Sequence, residues 1–559
     1  MLTSGGWPLS PQLIFLPMYS TYCSSIARFA FCLLLLLSTA VGGSPPAVAD
    51  TSSLQEGIAL LAGKSFREKT EGAEKIGTSG DLKAAGILSA LADGRLFFTK
   101  KDSVLVIATE TSNGYDSVEV LTDKQLGGIP KRELNKITIN NSLRGQLKAL
   151  IARINLGSGD SSVRLAAIRS MYADLSQEQE RLFVELLATE TNDQVQEAMT
   201  AALALTRVKN SDPEVRRKAL VDLRGNLDPT VRNEIVRLLA GEQDPAVLTE
   251  AKQVLAAIET EIAWYAKLET VFFGLSLGSV LVLAAIGLAI TFGVIGVINM
   301  AHGELIMIGA YTTYVIQELL PQSIGLALAL SIPAAFCVSA LVGIAIERSV
   351  IRFLYGRPLE TLLATFGISL ILQQTVRTIF SPLNRSVATP DWMSGSIMIN
   401  PVLSLTTNRV TIFFFAMLVF GLFFLLLKKT SIGLQVRAVS QNRVMARAMG
   451  VRAARVDALT FGLGSGIAGI AGVALSQLTN VGPNLGQAYI VDSFMVVVFG
   501  GVGNLWGTLL GGLSLGIANK FLEPWSGAVL AKIIILVCII LFIQKRPQGL
   551  FPQRGRATE

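Results

Sequence analysis

Among the apolar residues near the chain's centre stands Asn299-Met300-Ala301-His302-Gly303-Glu304, with the chain's single histidine and an acid. An amide, an imidazole and a carboxylate so close together could hydrogen-bond a polar solute. A charge at mid-membrane costs about 2.5–3.5 kcal/mol on insertion scales, so Glu304 needs a reason to be there. It could line a polar path with Asn299 and His302, or it could snorkel to the interface while His302 caps a helix end. A second stretch, Gly500-Gly501-Val502-Gly503-Asn504, breaks another apolar run. Broken helices free backbone N–H and C=O groups, which a membrane tolerates where they line a cavity or lie buried in protein. The two breaks occupy corresponding places between an upstream and a downstream apolar helix, hinting at two repeated halves. Gln373, Gln374 and Arg377 form a weaker polar patch, better suited to helix packing or an outer-interface position than to ligand contact.

Other motifs fail their context. Gly464-Ser465-Gly466-Ile467-Ala468-Gly469 matches G-x-G-x-x-G, but no strand precedes it. The small residues Gly462, Gly466, Gly469 and Gly472 instead suit close helix packing. Gly63-Lys64-Ser65 ends like a phosphate-binding loop, yet the preceding glycine is misplaced. One histidine argues against a metal site, and nothing independent supports Ser465 with His302 as a protease dyad. No catalytic residue and no metal ligand is expected.

The chain has 559 residues, of which 51% are hydrophobic and 16% charged, with 51 glycines. Mean hydropathy is +0.52, so an integral membrane protein is expected, and disorder, collagen and a disulfide scaffold are excluded. Cys23, Cys32, Cys337 and Cys538 all lie in apolar stretches. The net charge of +7 fits a cytoplasmic membrane face and anionic lipid better than nucleic acid.

The expected organisation begins with a signal peptide at 1–49, where Arg28 precedes Phe29–Leu37 and Ala47-Val48-Ala49 offers a cleavage site. Met18 is an alternative start. An exported segment at 50–159 is expected to be α/β, with strands at 96–98, 104–107 and 118–120. A helical-repeat exported domain follows at 160–267. There Asp212-Pro213, Asp228-Pro229 and Asp244-Pro245 each supply an N-cap and a first-turn proline, and therefore a helix start. A repeat surface suits contact with another protein. A transmembrane domain at 268–552 and a tail at 553–559 complete the chain. The fold expected is an all-α polytopic membrane domain, preceded by a mainly α exported domain with a small β segment.

Apolar runs lie at 271–291, 304–318, 324–346, 359–381, 410–427, 456–479, 493–518 and 528–544. Arg348, Arg352 and Arg357 mark one inner loop; Lys428 to Arg455 mark another, and the C-terminal tail should also be inside. Three single crossings cannot join two inner segments, so 493–518 should be re-entrant or doubled. Within the second loop, Gly433 to Gly450 reads as a short basic amphipathic helix ending at a glycine. It could lie on lipid headgroups or dock on a separate cytoplasmic ATPase.

These residues carry a resemblance. The segment 299–304 with Gly293 and Gly296, the loop 433–450, Val498–Asn504, and Arg546-Pro547-Gln548-Gly549-Leu550-Phe551 occur in order. Together they resemble the permease subunits of branched-chain amino-acid ABC importers. The secreted extension resembles the urea-transport group within that family. The resemblance implies a second permease subunit, two cytoplasmic ATPase subunits that hydrolyse ATP, and a soluble extracytoplasmic substrate-binding protein. The chain itself would bind no cofactor. It would sit in a bacterial inner membrane with its N-terminal domain outside and its C-terminus inside. The implied substrate path comprises Asn299, His302, Glu304, Gly500, Gly501, Gly503 and Asn504. The implied ATPase-coupling loop comprises Gly433, Arg437, Asn442, Arg443, Ala446 and Gly450. Urea is the expected solute, with a branched-chain amino acid or short amide as the alternative.

Overall fold

The computed structural model describes residues 51–551, apart from residues 64, 82, 103, 112–113, 123 and 173–176. The expected signal peptide at 1–49 and tail at 553–559 lie outside the described residues. The described residues form two compact units, divided between Arg207 and Val208.

The first unit opens with α1 (Thr51–Leu61), α2 (Phe66–Thr78) and α3 (Ala84–Ala92). Ser65 and Glu68 form a capping box at the start of α2, so the Gly63-Lys64-Ser65 stretch leads into a helix cap. A sheet follows, with β1 (Leu96–Thr99), β2 (Leu105–Thr111), β3 (Gly114–Glu119), β4 (Gln125–Ile129) and β5 (Leu134–Lys136). Its order is β4-β3-β2-β1-β5. Neighbouring strands run antiparallel. The sequence marked the first three strands but missed β4 and β5. Gln125-Leu126-Gly127-Gly128-Ile129 is glycine-rich and almost wholly exposed, so no buried alternation betrays it. Helices α4 (Asn141–Leu156), α5 (Ser161–Ser170), α6 (Gln177–Leu187) and α7 (Asp193–Arg207) complete the unit. Leu61, Ile76, Leu88, Leu91, Leu96 and Leu147 join helices and sheet in one core.

The second unit begins with α8 (Pro213–Asp222), α9 (Pro229–Gly241) and α10 (Pro245–Ile295). Each Asp-Pro phrase starts a helix. Asp212 accepts from Glu214 N at 2.9 Å, Asp228 from Thr230 N at 2.8 Å and Asp244 from Ala246 N at 2.9 Å. Arg216 clamps Glu242, with Nε–Oε2 at 2.7 Å and Nη2–Oε1 at 2.8 Å. Arg164 and Glu190 make the same two-pronged bridge in the first unit, so a repeat is present in side-chain pairing as well as in caps.

The Arg216 guanidinium holds the Glu242 carboxyl down to about 2 from 4.5, against the opposing effect of desolvation. A depressed folded-state value means that the pairing stabilises above the unfolded value and is lost as pH falls from about 4.5 toward 2. Amide-exchange protection in α8 and α9 should therefore decline across that window. Glu242→Gln should remove the dependence, and a wild-type profile in that variant would refute it.

The apolar part continues with α11 (His302–Leu319), α12 (Ile324–Ser349), α13 (Pro358–Phe380), β6 (Ser396–Met398), β7 (Ser404–Thr406) and α14 (Thr407–Lys429). Next come α15 (Ser431–Gln441), α16 (Arg443–Ala448), α17 (Ala453–Ser476), α18 (Leu485–Gly500) and α19 (Leu505–Lys545). Six helices of this unit are long and apolar enough to cross a membrane. The fold is thus an all-α polytopic domain preceded by a mainly helical region with a small sheet. No break in secondary structure marks the division expected at 267/268, because α10 runs through it as one 51-residue helix.

Run 493–518 splits at Gly501–Asn504 between α18 and α19, and α19 is itself interrupted at Gly527 (φ 78°). The run is therefore not one helix but holds the end of α18 and the start of α19. The expected single helix at 433–450 is two. Asn442 is extended and accepts from Met445 N, ending α15 and capping α16.

Glycines set the distances between helices. A Cβ on Gly287 would strike the Gly464 backbone, one on Gly309 the Gly469 backbone, and one on Gly472 the Ile306 carbonyl. Without a hydrophobic drive between helices in lipid, such close backbone approach supplies the packing energy. Gly462 and Gly466 likewise pack under Ile344 and Phe336.

Candidate functional site

Helix α10 ends at Ile295, where Gly296 takes a left-handed conformation (φ 74°). The chain then doubles back. His302, the first residue of α11, donates from Nε2 to the carbonyl of Ala284 at 2.8 Å. Ala284 lies 11 residues before the end of α10, about 16 Å along the helix axis. Helix α11 therefore begins deep inside the bundle, and 296–301 is a re-entrant stretch. Asn299 holds the turn through Oδ1, which accepts from Ala301 N at 3.0 Å.

Glu304 is fully buried, so interfacial snorkelling is not its position here. Its Oε1 accepts from Ser369 Oγ at 3.0 Å and from Gln373 Nε2 at 2.7 Å. Thr365 Oγ1 accepts from Met300 N at 3.1 Å. Three buried polar atoms of the re-entrant segment have no hydrogen-bond partner: Asn299 Nδ2, His302 Nδ1 and Glu304 Oε2. An acidic residue in the first turn also suits the positive end of the helix dipole.

The polar partners come from α13, whose buried residues are Thr361, Thr365, Ser369, Gln373 and Val376. Residues four apart share a helix face. The four-residue spacing of Thr361, Thr365, Ser369 and Gln373 is the sequence signal for this stripe. Gln373 belongs to the site, whereas Gln374 faces outward. Arg377 Nη2 donates to Asn484 Oδ1 at 2.8 Å farther along the same seam.

Gly500, Gly501, Gly503 and Asn504 do not join this cluster. They form a knot at one end of the bundle. Leu550 N donates to Phe499 O at 2.9 Å, Phe551 N to Gly500 O at 3.1 Å, and Asn504 Nδ2 to Phe551 O at 3.2 Å. Gly501 (φ 105°) and Gly503 (φ 82°) are left-handed, and a Cβ on Gly293 would lie 2.6 Å from Gly503 Cα. The motifs 498–504 and 546–551 are thus one physical feature, touching the end of α10. Opposite them, Arg385 and Val481 exchange backbone hydrogen bonds and Gln317 brackets Ala388.

A cavity of about 300 Å³ separates that knot from the basic loop, lined by Gly293, Gly433, Arg437, Gly503 and Asn504 among others. Within the loop, Gly433 lies against the Leu427 backbone and Arg437 donates to the Leu427 carbonyl. Ala446 is buried with Val436 and Val439. Gly450 turns the chain at φ 85°. Arg443 points inward and pairs with the buried carboxylate of Asp457. Outward residues of the loop include Leu434, Val444, Met445, Arg447 and Met449. Ser465 Oγ, by contrast, has no hydrogen-bond partner and packs at Gly343, so it forms no dyad with His302. Among the described residues no cluster of metal-ligating groups occurs.

A family described as "Branched-chain amino acid transport system / permease component" matches residues 270–543. The high-affinity branched-chain amino acid transport system permease protein BraD of Pseudomonas aeruginosa is 30% identical over 299 residues, 51% of this chain and 96% of the relative. Its counterpart LivH of Escherichia coli K12 is 32% identical over 296 residues, 51% of this chain and 94% of the relative. The chain belongs to this permease family. A probable LivH of Methanocaldococcus jannaschii is 28% identical over 291 residues, covering 49% of this chain and 88% of the relative. No solved structure matches. The permease match includes the re-entrant segment, the α13 stripe and the basic loop, whereas α1 to α9 precede it.

Proposed function

We propose that this chain is the membrane permease subunit of an ATP-driven ABC importer that takes up urea. The observation that carries solute transport is the half-helix start deep in the bundle, where Asn299, His302 and Glu304 keep unpaired polar atoms. Half-helix ends and irregular backbone at mid-depth are where transporters hold their cargo. Urea is favoured by the resemblance to the urea-transport group. The relatives' own names favour the second reading, a branched-chain amino acid or short amide.

In this reading α15 and α16 meet one of two cytoplasmic ATPase subunits, which hydrolyse the ATP while this chain binds no cofactor. Ile432, Leu434, Val444, Met445 and Met449 are exposed apolar residues available there. A second permease subunit completes the pathway, and a soluble extracytoplasmic protein delivers the solute. The positive charges of 428–455 support a reading with that loop inside and the N-terminal domain outside an inner membrane.

The test is uptake of labelled urea and labelled leucine at micromolar concentration in cells with and without the gene. Loss of urea uptake alone supports the assignment. Loss of leucine uptake keeps the importer and discards urea, and loss of neither rejects both solutes.

A further inference from the structure

Helix α13 meets the bundle along an unusual seam. Of its five buried residues, four are polar: Thr361, Thr365, Ser369 and Gln373. A seam serving packing alone would use small or apolar side chains, because each buried hydroxyl or amide must find a partner or cost free energy. The opposite face is apolar and outward, with Leu359 82%, Leu363 71%, Ile371 66% and Ile379 66% exposed. The helix is therefore peripheral, joined to its neighbours along this polar stripe and through Val376, Ile368, Leu372 and Phe380, the last lying 4.8 Å from the Tyr311 ring of α11.

Across the seam lies the re-entrant segment with its unused hydrogen-bonding capacity. Glu304 Oε2 is an acceptor and Asn299 Nδ2 a donor, both buried and both without a partner. The other Glu304 oxygen is already bound to Ser369 and Gln373. An acceptor and a donor in one short segment match a solute that carries N–H and C=O groups together. His302 is less suited, since its Nε2 is committed to the Ala284 carbonyl.

We propose that the seam between α11 and α13 is the solute path, and that Thr365, Ser369 and Gln373 line it as specificity-determining residues for N–H- and C=O-bearing solutes beside Glu304. This rests on the transport reading above and names the groups that would carry it out. In the present conformation the seam is shut, with Ser369 and Gln373 bonded to one Glu304 oxygen. Opening exchanges the Ser369 and Gln373 hydrogen bonds to Glu304 for bonds to the solute. The Arg377–Asn484 contact lies toward one end of the seam.

Single cysteines at Thr365, Ser369 and Ile371 test this in the full chain, with the native cysteines replaced and the host's partner subunits present. A charged, water-borne thiol reagent should modify T365C and S369C but not the outward I371C. Modification should abolish uptake, and excess solute should slow it. Reaction at the seam no faster than at I371C, or full uptake after modification, overturns the proposal. If those variants do not reach the membrane, Gln373→Asn is read instead. A raised KM for uptake with Vmax retained supports the assignment, and an unchanged KM overturns it. Thiol reactivity needs no transported solute. A parent chain that moves neither urea nor leucine therefore fails the solute assignment while the labelling pattern still judges the seam.

Discussion

Arg443→Ala should lower the unfolding midpoint of the detergent-solubilised protein and loosen residues 431–452, and Asp457→Asn in the same chain should restore much of the loss. Asp457 is fully buried and Glu347 nearly so. Arg443 bonds the Asp457 carboxylate, and its guanidinium carbon sits 4.7 Å from the centre of the Tyr355 ring. Tyr355 in turn donates to Glu347 Oε1 at 2.8 Å. Arg443 thus supplies positive charge to a cluster that links α16, α17 and the turn after α12. Removing one partner of a buried pair costs about 3–5 kcal/mol, because the other charge stays behind unpaired. The half-exposed position of Arg443 argues for the lower end. Asp457→Asn removes the stranded charge, so the double variant should be better off than the sum of the singles. Strictly additive losses, or a wild-type midpoint in Arg443→Ala, would show that the cluster does not hold the loop. The resemblance implied only that Arg443 belongs to an ATPase-coupling loop. The inward turn of this side chain makes stability the first thing to change.

That difference shows what a linear reading could and could not reach. Asp212, Asp228 and Asp244 announced helix starts because capping is local: the acid, the proline and the bonded N–H lie within three residues. Gly500 to Asn504 announced a break for the same reason, since a glycine run cannot sustain a helix in any surroundings. Depth was not legible. Asn299 to Glu304 looked like the end of a crossing, and only the return of the chain alongside α10, fixed by His302 and the Ala284 carbonyl, takes Glu304 into the interior. The partners of that acid lie 65 and 69 residues on. Ser369 and Gln373 therefore read as ordinary polar interruptions until the two segments met. The pairing of Arg443 was equally hidden, because its acid, Asp457, belongs to the next helix. The glycines at 500–504 were grouped with Glu304 by analogy of the two breaks. In the fold they bind the C-terminal motif, whose backbone supplies the hydrogen bonds that α18 lacks at its end.

Replacing Ala266 by proline should broaden the distance distribution between spin labels at Val236 and Leu319, measured with the native cysteines replaced. Helix α10 starts at the third Asp-Pro phrase and continues without interruption to Ile295, 51 residues or about 77 Å. Near its start Val247, Ala251, Val254 and Ile258 are buried. Near its end Val294 packs on the cluster of Val436, Val439 and Ala446. Between these regions the helix is largely uncovered, with Glu261, Ala263, Trp264, Ala266, Lys267 and Leu268 all exposed. Nothing packs there to enforce the direction of the chain, so the backbone ladder alone transmits orientation across it. Proline deletes one rung and collides with the preceding turn, at a cost of about 3 kcal/mol in a helix interior. The buried segments on either side keep their own contacts, so both should stay folded while the angle between them becomes free. A rigid α10 makes any displacement of α8 and α9 arrive at α15, a mechanical link between the repeat helices and the basic loop. A distribution as narrow as that of the parent chain would mean that contacts other than α10 fix the repeat helices, and the lever would have to be abandoned.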